Sequence, residues 1–190
     1  MFAFKKNYYL IIESIKDINL SIIKKRHKFI IIYRNKKNNE KYDELLMFRN
    51  MCKRKHIFFY VANDLFLARN LKADGLYISA FNRKIRKPFS NNFKFKVIGS
   101  AHNVKEINIK KLQGCSKIIF SRLFKTSYEY KKSFLGIIKY NLIANLFGNQ
   151  LVPLGGIKIS NLNKLKTVDC EAFTVFSEVK KKPAIIDRLF

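Results

Sequence analysis

Eight short runs of β-branched and aromatic residues recur along the chain: Tyr8 to Ile12, Phe29 to Arg34, Ile57 to Asp64, Gly75 to Ser79, Val97 to His102, Lys117 to Phe124, Leu151 to Gly156 and Ala172 to Ser177. Segments of helical period separate them. Several runs are apolar on both faces, as in Phe29-Ile30-Ile31-Ile32. That suits parallel strands covered by helices better than an antiparallel sheet wetted on one side. The clearest predicted helix spans about Asn39 to Lys55, with Tyr42, Leu45, Leu46 and Cys52 on one face and a basic exit that complements the helix dipole. A second begins at Asn103, which stands at capping-box spacing from Glu106 ahead of Ile107 and Leu112. A third begins at Ser160 and carries Leu162, Leu165 and Val168, and a last begins at Pro183, a residue favoured in a first helical turn. The segments after Ile12 and after Thr126 also read as helices, whereas Asn82 to Phe95 reads as irregular.

Eight strand and helix units in succession predict an α/β fold, a compact (β/α)8 TIM barrel formed as a single domain over residues 1–190. A doubly wound open sheet is the alternative. Its dinucleotide-binding version is unsupported, because no Gly-x-Gly-x-x-Gly follows the first run. Neither an internal repeat nor a linker interrupts the pattern.

Composition narrows the picture further. Apolar residues make up 48% of the chain and aromatic ones 14%, enough for a packed core and against disorder as the main state. The three cysteines, Cys52, Cys115 and Cys170, are far apart and form no Cys-x-x-Cys pair, so neither a disulfide framework nor a cysteine zinc site is supported. No apolar run approaches the roughly 18 residues of a membrane span. The first run breaks at Glu13 without a small-residue cleavage site, and a soluble, cytoplasmic protein is expected. The formal charge of +26 directs attention to polyanions. Lysines, however, are spread along the whole chain, with short runs at Lys24-Lys25, Lys36-Lys37 and Lys180 to Lys182, which reads as a solvated basic surface and not as a specific nucleic-acid face. Anionic small substrates fit the same charge.

In a barrel the informative polar residues are those at the carboxyl ends of the strands. Arg34 and Lys36 follow the second run; Asn63 and Asp64 the third; Ser79 and Asn82 the fourth; Ser100 and His102 close the fifth. Thr126 lies after the sixth, Gly155 and Gly156 end the seventh, and Ser177 ends the eighth. Arg34 has the geometry to clamp a phosphate through two N–H groups, with Lys36 as a second point charge. The Gly155-Gly156 turn exposes backbone N–H groups to an oxyanion, or is simply a tight turn that needs positive φ. Asp64 is a candidate ligand for a hard cation that bridges to substrate phosphates, and also a candidate helix N-cap. His102 is suited to moving a proton near neutral pH. Asp74 precedes the fourth run, at the end away from the chemistry, and reads as structural.

Taken in order, these strand ends resemble the thiamine phosphate synthase and thiazole tautomerase (TenI-like) family. The resemblance is carried by Ala62-Asn63-Asp64, Lys72-Ala73-Asp74-Gly75-Leu76-Tyr77, Ile98-Gly99-Ser100-Ala101-His102-Asn103, Phe120 to Thr126, and Pro153-Leu154-Gly155-Gly156-Ile157 followed by Asn161. It implies thiamine biosynthesis: a transferase that joins hydroxymethylpyrimidine diphosphate to thiazole phosphate, with Mg2+ as cofactor and pyrophosphate released. By position, Arg34 and Lys36 resemble the pair that holds the pyrophosphate, with Asn63 beside them, and Asp64 resembles a magnesium ligand. Ser100 and Thr126 resemble hydroxyl contacts to the leaving group and substrate, and Gly156 and Ser177 resemble contacts to the thiazole phosphate. The pattern departs at four places: Ile32 stands where a glutamine is implied, Tyr77 where a histidine is, the neutral Asn82 near the second metal carboxylate, and the threonine and lysine cluster implied after the sixth run is disrupted, with Ser127 and Lys131 or Lys132 as its substitutes.

Three readings share this fold: the synthase, a TenI-like tautomerase that uses His102 without metal, and a non-catalytic barrel that binds phosphorylated ligands. A basic nucleic-acid-associated protein is the fourth. The partners expected are small phosphorylated substrates, with no specific nucleic acid and no membrane, and homo-oligomerisation is left open.

Overall fold

In the computed structural model, residues 7–23, 27–35, 40–84, 95–126, 133–148 and 150–175 are described. Eight strands, β1 (Asn7–Ile12), β2 (Phe29–Tyr33), β3 (Phe58–Ala62), β4 (Gly75–Ile78), β5 (Lys96–Ala101), β6 (Lys117–Ser121), β7 (Leu151–Leu154) and β8 (Ala172–Val175), follow the eight apolar runs of the sequence. They close into one barrel in sequence order, and every pairing is parallel, including β1 with β8. The open-sheet alternative is thereby excluded.

The two-residue period of a strand explains why the runs look uniformly apolar. Alternate residues enter two different cores. Tyr9 and Ile11 of β1 point into the barrel with Ile30, Ile32, Tyr60, Tyr77, Ile98, Ile119 and Val152. Their neighbours Tyr8, Leu10 and Ile12 join Phe29, Ile31, Phe59 and Phe173 in the layer beneath the helices. The lumen is thus a packed core with three tyrosines. Gly75 makes room for one of them, since a Cβ there would stand 2.7 Å from the Tyr60 ring.

Four α-helices cover the described barrel: α1 (Tyr42–Arg54), α2 (Leu65–Asn70), α3 (Val104–Leu112) and α4 (Gly136–Phe147). Asn103 caps α3 as its spacing from Glu106 foresees, its Oδ1 accepting from the Glu106 N–H at 2.9 Å, but the Glu106 carboxylate reaches back to the His102 N–H and not to that of Asn103, so the capping box is only half made. Two expected helices take another form. After Ile12 the chain makes two 3-10 turns, Ile15–Asp17 and Leu20–Ile22, because Ser14 and Asn19 bond the backbone two residues on and hold tight turns. From Ser160 the expected helix is a 3-10 segment, Ile159–Thr167, whose Ser and Asn content favours local side-chain bonding over α-helix. The helix expected from Pro183 and most of the Asn82–Phe95 stretch lie outside the described residues.

At the amino end of the barrel Asp74 accepts from the Phe59 N–H at 2.8 Å and from Arg49 Nη2 at 3.2 Å. Arg49 also donates to the Lys72 carbonyl. Asp74 is therefore a structural tie away from the mouth, as its position before the fourth run implies. All three cysteines are buried and unbridged, and burial pushes the Cys52 and Cys115 thiols up to about 12, which leaves them inert as nucleophiles.

Candidate active site at the carboxyl end of the barrel

Because all eight strands run the same way, every loop that follows a strand opens on one mouth. The first two loops are locked together by Glu40. Its carboxylate accepts from Ser14 Oγ at 2.6 Å, the Ile15 N–H at 2.8 Å, Asn35 Nδ2 at 2.9 Å and the Tyr33 phenol. Burial alone would push this carboxyl up, but those four donors outweigh it and hold it below the usual carboxylate range. Arg34 sits between the locked loops, its N–H donating to the Ile12 carbonyl at 2.8 Å and its guanidinium lying 3.7 Å from Glu13.

Beneath Arg34 is the Tyr77 phenol. Burial raises its pKa, so it stays protonated, while the neighbouring Ser100 and Arg34 side chains act in the opposite direction. Tyr77, in the place where the resemblance implies a histidine, thus lies beside residues of the second and fifth strands at the floor of the mouth. Ser100 is itself 7% exposed.

The third and fourth loops are joined by Asn63. It adopts φ +60°, which short polar side chains tolerate, and its Oδ1 accepts from the Ser79 N–H and Oγ, both at 2.9 Å, and from Asn82 Nδ2 at 3.2 Å. Asn82 acts as a brace. Its Oδ1 accepts from the Lys84 N–H, and its main-chain carbonyl accepts from Lys110 Nζ at 2.8 Å and Gln113 Nε2 at 3.2 Å. This amide oxygen is engaged once, within its own loop. Asp64 caps α2, with Oδ1 accepting from the Leu67 N–H at 2.8 Å. Its second oxygen remains for another partner, and the side chain is exposed at the rim. Among the described residues no three His, Cys, Asp or Glu side chains cluster as a metal cage.

His102 lies on the rim, half exposed, its N–H and Nδ1 at 2.8 and 3.1 Å from Glu106 Oε2. Burial would raise the Glu106 carboxyl, but the bonds from His102 and Asn103 overcome it and lower its pKa. On the opposite side, the loops after β6 and β7 are zipped by the Phe124 N–H donating to the Gly155 carbonyl at 3.0 Å. Gly156 has φ +67°, and a Cβ there would fall 2.5 Å from the Lys125 carbonyl oxygen. Both the close approach and the positive φ demand glycine. Asn161 fixes the turn, donating to the Gly156 carbonyl at 2.7 Å and accepting from the Lys158 N–H at 2.8 Å.

The mouth therefore brings together Arg34, Asn63, Asp64, Ser100, His102, Thr126, Gly155 and Gly156. Lys36 and Ser177 lie outside the described residues, as do Ser127, Lys131 and Lys132. The sequence reading missed Glu40, Lys110 and Thr174. Lys110 is fully buried one turn from Ile107, so a lysine on the apolar stripe of α3 was its signal. Thr174 is a polar residue inside an apolar strand; its Oγ1 and that of Thr126 are buried without a hydrogen-bond partner among the described residues.

Comparison with known proteins decides the family. The sequence model of the family described as thiamine monophosphate synthase matches residues 9–179. The chain belongs to the thiamine monophosphate synthase family. Its relatives include a thiamine-phosphate synthase of Prochlorococcus marinus (strain AS9601), 28% identical over 179 residues that cover 92% of this chain and 48% of the relative. Another, from Fusobacterium nucleatum, is 24% identical over 185 residues, covering 95% of this chain and 87% of the relative. The chain thus spans about half the length of some relatives and most of others. In fold it matches thiamine phosphate pyrophosphorylase from Pyrococcus furiosus, with TM-score 0.73, 16% identity and coverage of 99% and 98% of the two chains. It also matches 3-keto-L-gulonate-6-phosphate decarboxylase from Vibrio cholerae, with TM-score 0.66, 14% identity and coverage of 98% and 99%. Membership of the thiamine monophosphate synthase family agrees with the motifs read along the strand ends. No described helix is long and apolar enough to cross a membrane.

Proposed function

We propose that this barrel is a thiamine phosphate synthase, joining hydroxymethylpyrimidine diphosphate to thiazole phosphate and releasing pyrophosphate. The observation that carries the reading is the convergence of Arg34, Ser100, Asp64 and the Gly155-Gly156 turn on one mouth in a chain of this family. As the pyrimidine carbon leaves the diphosphate oxygen and bonds the thiazole nitrogen, negative charge collects on the departing pyrophosphate. Arg34 suits that charge, with the Tyr77 phenol beside it and the Glu13 carboxylate 3.7 Å away. The N–H groups of the glycine turn suit the thiazole phosphate. The orphan hydroxyls of Thr126 and Thr174 have hydrogen bonds to offer a ligand.

The donor set suits magnesium in a lean form. Asp64 supplies one carboxylate oxygen beyond its cap bond, and this cation is commonly held by one or two carboxylates together with substrate phosphates and water. When bound there it neutralises diphosphate charge. A second reading, isomerisation of a thiazole phosphate, is favoured by one feature: the exposed His102 ring is backed by Glu106, which suits proton transfer.

The test is a mass-spectrometric assay of the full chain with both precursors. Coupled product is expected from the wild type, with a loss of 100-fold or more for Asp64→Asn and in chelator, an effect of the size usual for removing a charge-stabilising group. Coupling undiminished by either treatment removes the metal role. Absence of coupling together with a His102-dependent thiazole isomerisation moves the assignment to the second reading.

A further inference from the structure

Helix α4 is apolar on the side that faces the barrel and apolar again on the side that faces away. Inward, Tyr140 and Ala144 are buried, and the Tyr140 ring packs 6.2 Å from Phe120. Outward, Ile138, Leu142 and Leu146 follow one another at intervals of four residues and are 80%, 63% and 78% exposed, and Phe134, just ahead of the helix, is 51% exposed. Residues four apart align along one side of a helix, so the three helical side chains form a continuous ridge. Lys111 Nζ lies 5.4 Å above the Phe147 ring, which sets the end of α3, with Leu112 76% exposed at its last position, beside the end of α4. The barrel covers only one of these two apolar sides.

We infer that a second copy of this chain covers the ridge, as a two-fold dimer in which α4 packs on its symmetry mate. Two observations select this occupant. The first is area. The five side chains expose on the order of 600 Å² per copy, which with the polar rim approaches the roughly 800 Å² per partner of a standard interface and stands at the upper end of the roughly 300–600 Å² patch that a soluble monomer leaves open. The second is charge. In a chain of net charge +26, α4 carries one charged residue, Lys139, in twelve. Two such molecules can meet at this face without opposing lysine clusters, and ridges of residues four apart interdigitate when like helices cross. An isologous contact closes on itself and places the same leucines opposite one another. The contact is independent of the mouth and of the reaction assigned to it.

The charge makes the salt dependence diagnostic. Self-association of a basic protein through an apolar face strengthens as salt screens the remaining repulsion, whereas attachment to an anionic vesicle or nucleic acid weakens. Light scattering after size-exclusion chromatography of the full chain, at about 100 µM protein and between about 0.05 and 0.5 M salt, should give twice the 22.4 kDa chain mass, with the dimer fraction rising with salt. Ile138→Lys with Leu142→Lys should give monomer with an unchanged circular dichroism spectrum. Ile138→Asn with Leu146→Asn serves as a second, uncharged disruption if the lysine variant does not fold, and should weaken the dimer at least tenfold. A wild type that stays monomeric across the salt range overturns the inference. So does a dimer that neither variant weakens, or a monomer whose ridge instead binds phosphatidylglycerol vesicles.

Discussion

Glu40 concentrates at a single residue what the mouth requires. Its two oxygens serve Ser14, the Ile15 N–H, Tyr33 and Asn35, so one carboxylate sets the spacing of the loops that flank Arg34. Because hydrogen bonding holds its folded-state pKa below the unfolded value, the carboxylate binds fewer protons folded than unfolded near its titration. Its contribution is complete above the unfolded value, near 4.3, and fades as pH falls through the lower folded one. Glu40→Gln should therefore cost about 1–2 kcal/mol at pH 7, read as a fall of several degrees in Tm, and the gap to wild type should narrow below about pH 4. A gap that persists unchanged at pH 3 would mean that the lost contribution is packing and not the carboxylate's hydrogen bonding. The sequence offered no sign of this residue: Glu40 lies in a polar loop, and its partners in the preceding loop, Ser14 and Ile15, are more than 20 positions away. Tyr77 was visible as a departure from the family pattern. Only the structure shows its phenol beneath Arg34 and Ser100.

At the level of elements, the loops after β6 and β7 behave as one unit because Gly156 allows their backbones to meet. Gly156→Ala places a methyl 2.5 Å from the Lys125 carbonyl at φ +67°. It should cost about 3 kcal/mol or more in urea unfolding and raise KM for the thiazole phosphate. Gly114→Ala, at φ +79° with open space around it, should cost only the backbone strain of about 1–2 kcal/mol. Equal losses at the two sites would show that the contact between the loops adds nothing. The strands were legible because both their faces are buried, which turns each into an apolar run such as Phe29 to Tyr33 with sharp ends. The 3-10 segments were not, since leucine spacing in Ile159–Thr167 imitates an α-helix while Asn161 holds the first turn in another geometry. The strand-end rule found Arg34, Asn63 and Gly156 for the same reason that it found the barrel. It gave no means of telling a ligand from a brace, and Asn82 is the case in point.

Over the whole molecule, the acidic residues are largely committed to internal partners. Asp64 caps α2, Asp17 and Glu106 accept from the Ser14 and His102 N–H groups just ahead of their turns, Glu40 ties loops, and Glu13, Asp74 and Glu171 face Arg34, Arg49 and Lys117. With 13 acidic residues against 39 lysines and arginines, few are left to neutralise the outer surface, so the field around the barrel is positive in most directions. Such a surface attracts polyanions without reading them. Nucleic-acid binding, if measured with random duplex DNA, should appear at about 50 mM salt and weaken at least 100-fold by about 200 mM, as expected when several phosphates exchange lysines for counterions. It should be indifferent to sequence, and thiamine precursors should not displace it competitively at the low salt where it is seen, because lysines away from the mouth carry it. Sequence-selective binding that survives high salt would require a face organised for base contacts. Displacement by the diphosphate substrate alone would instead locate the polyanion at Arg34 and the mouth, and would make the two kinds of anion competitors for one site.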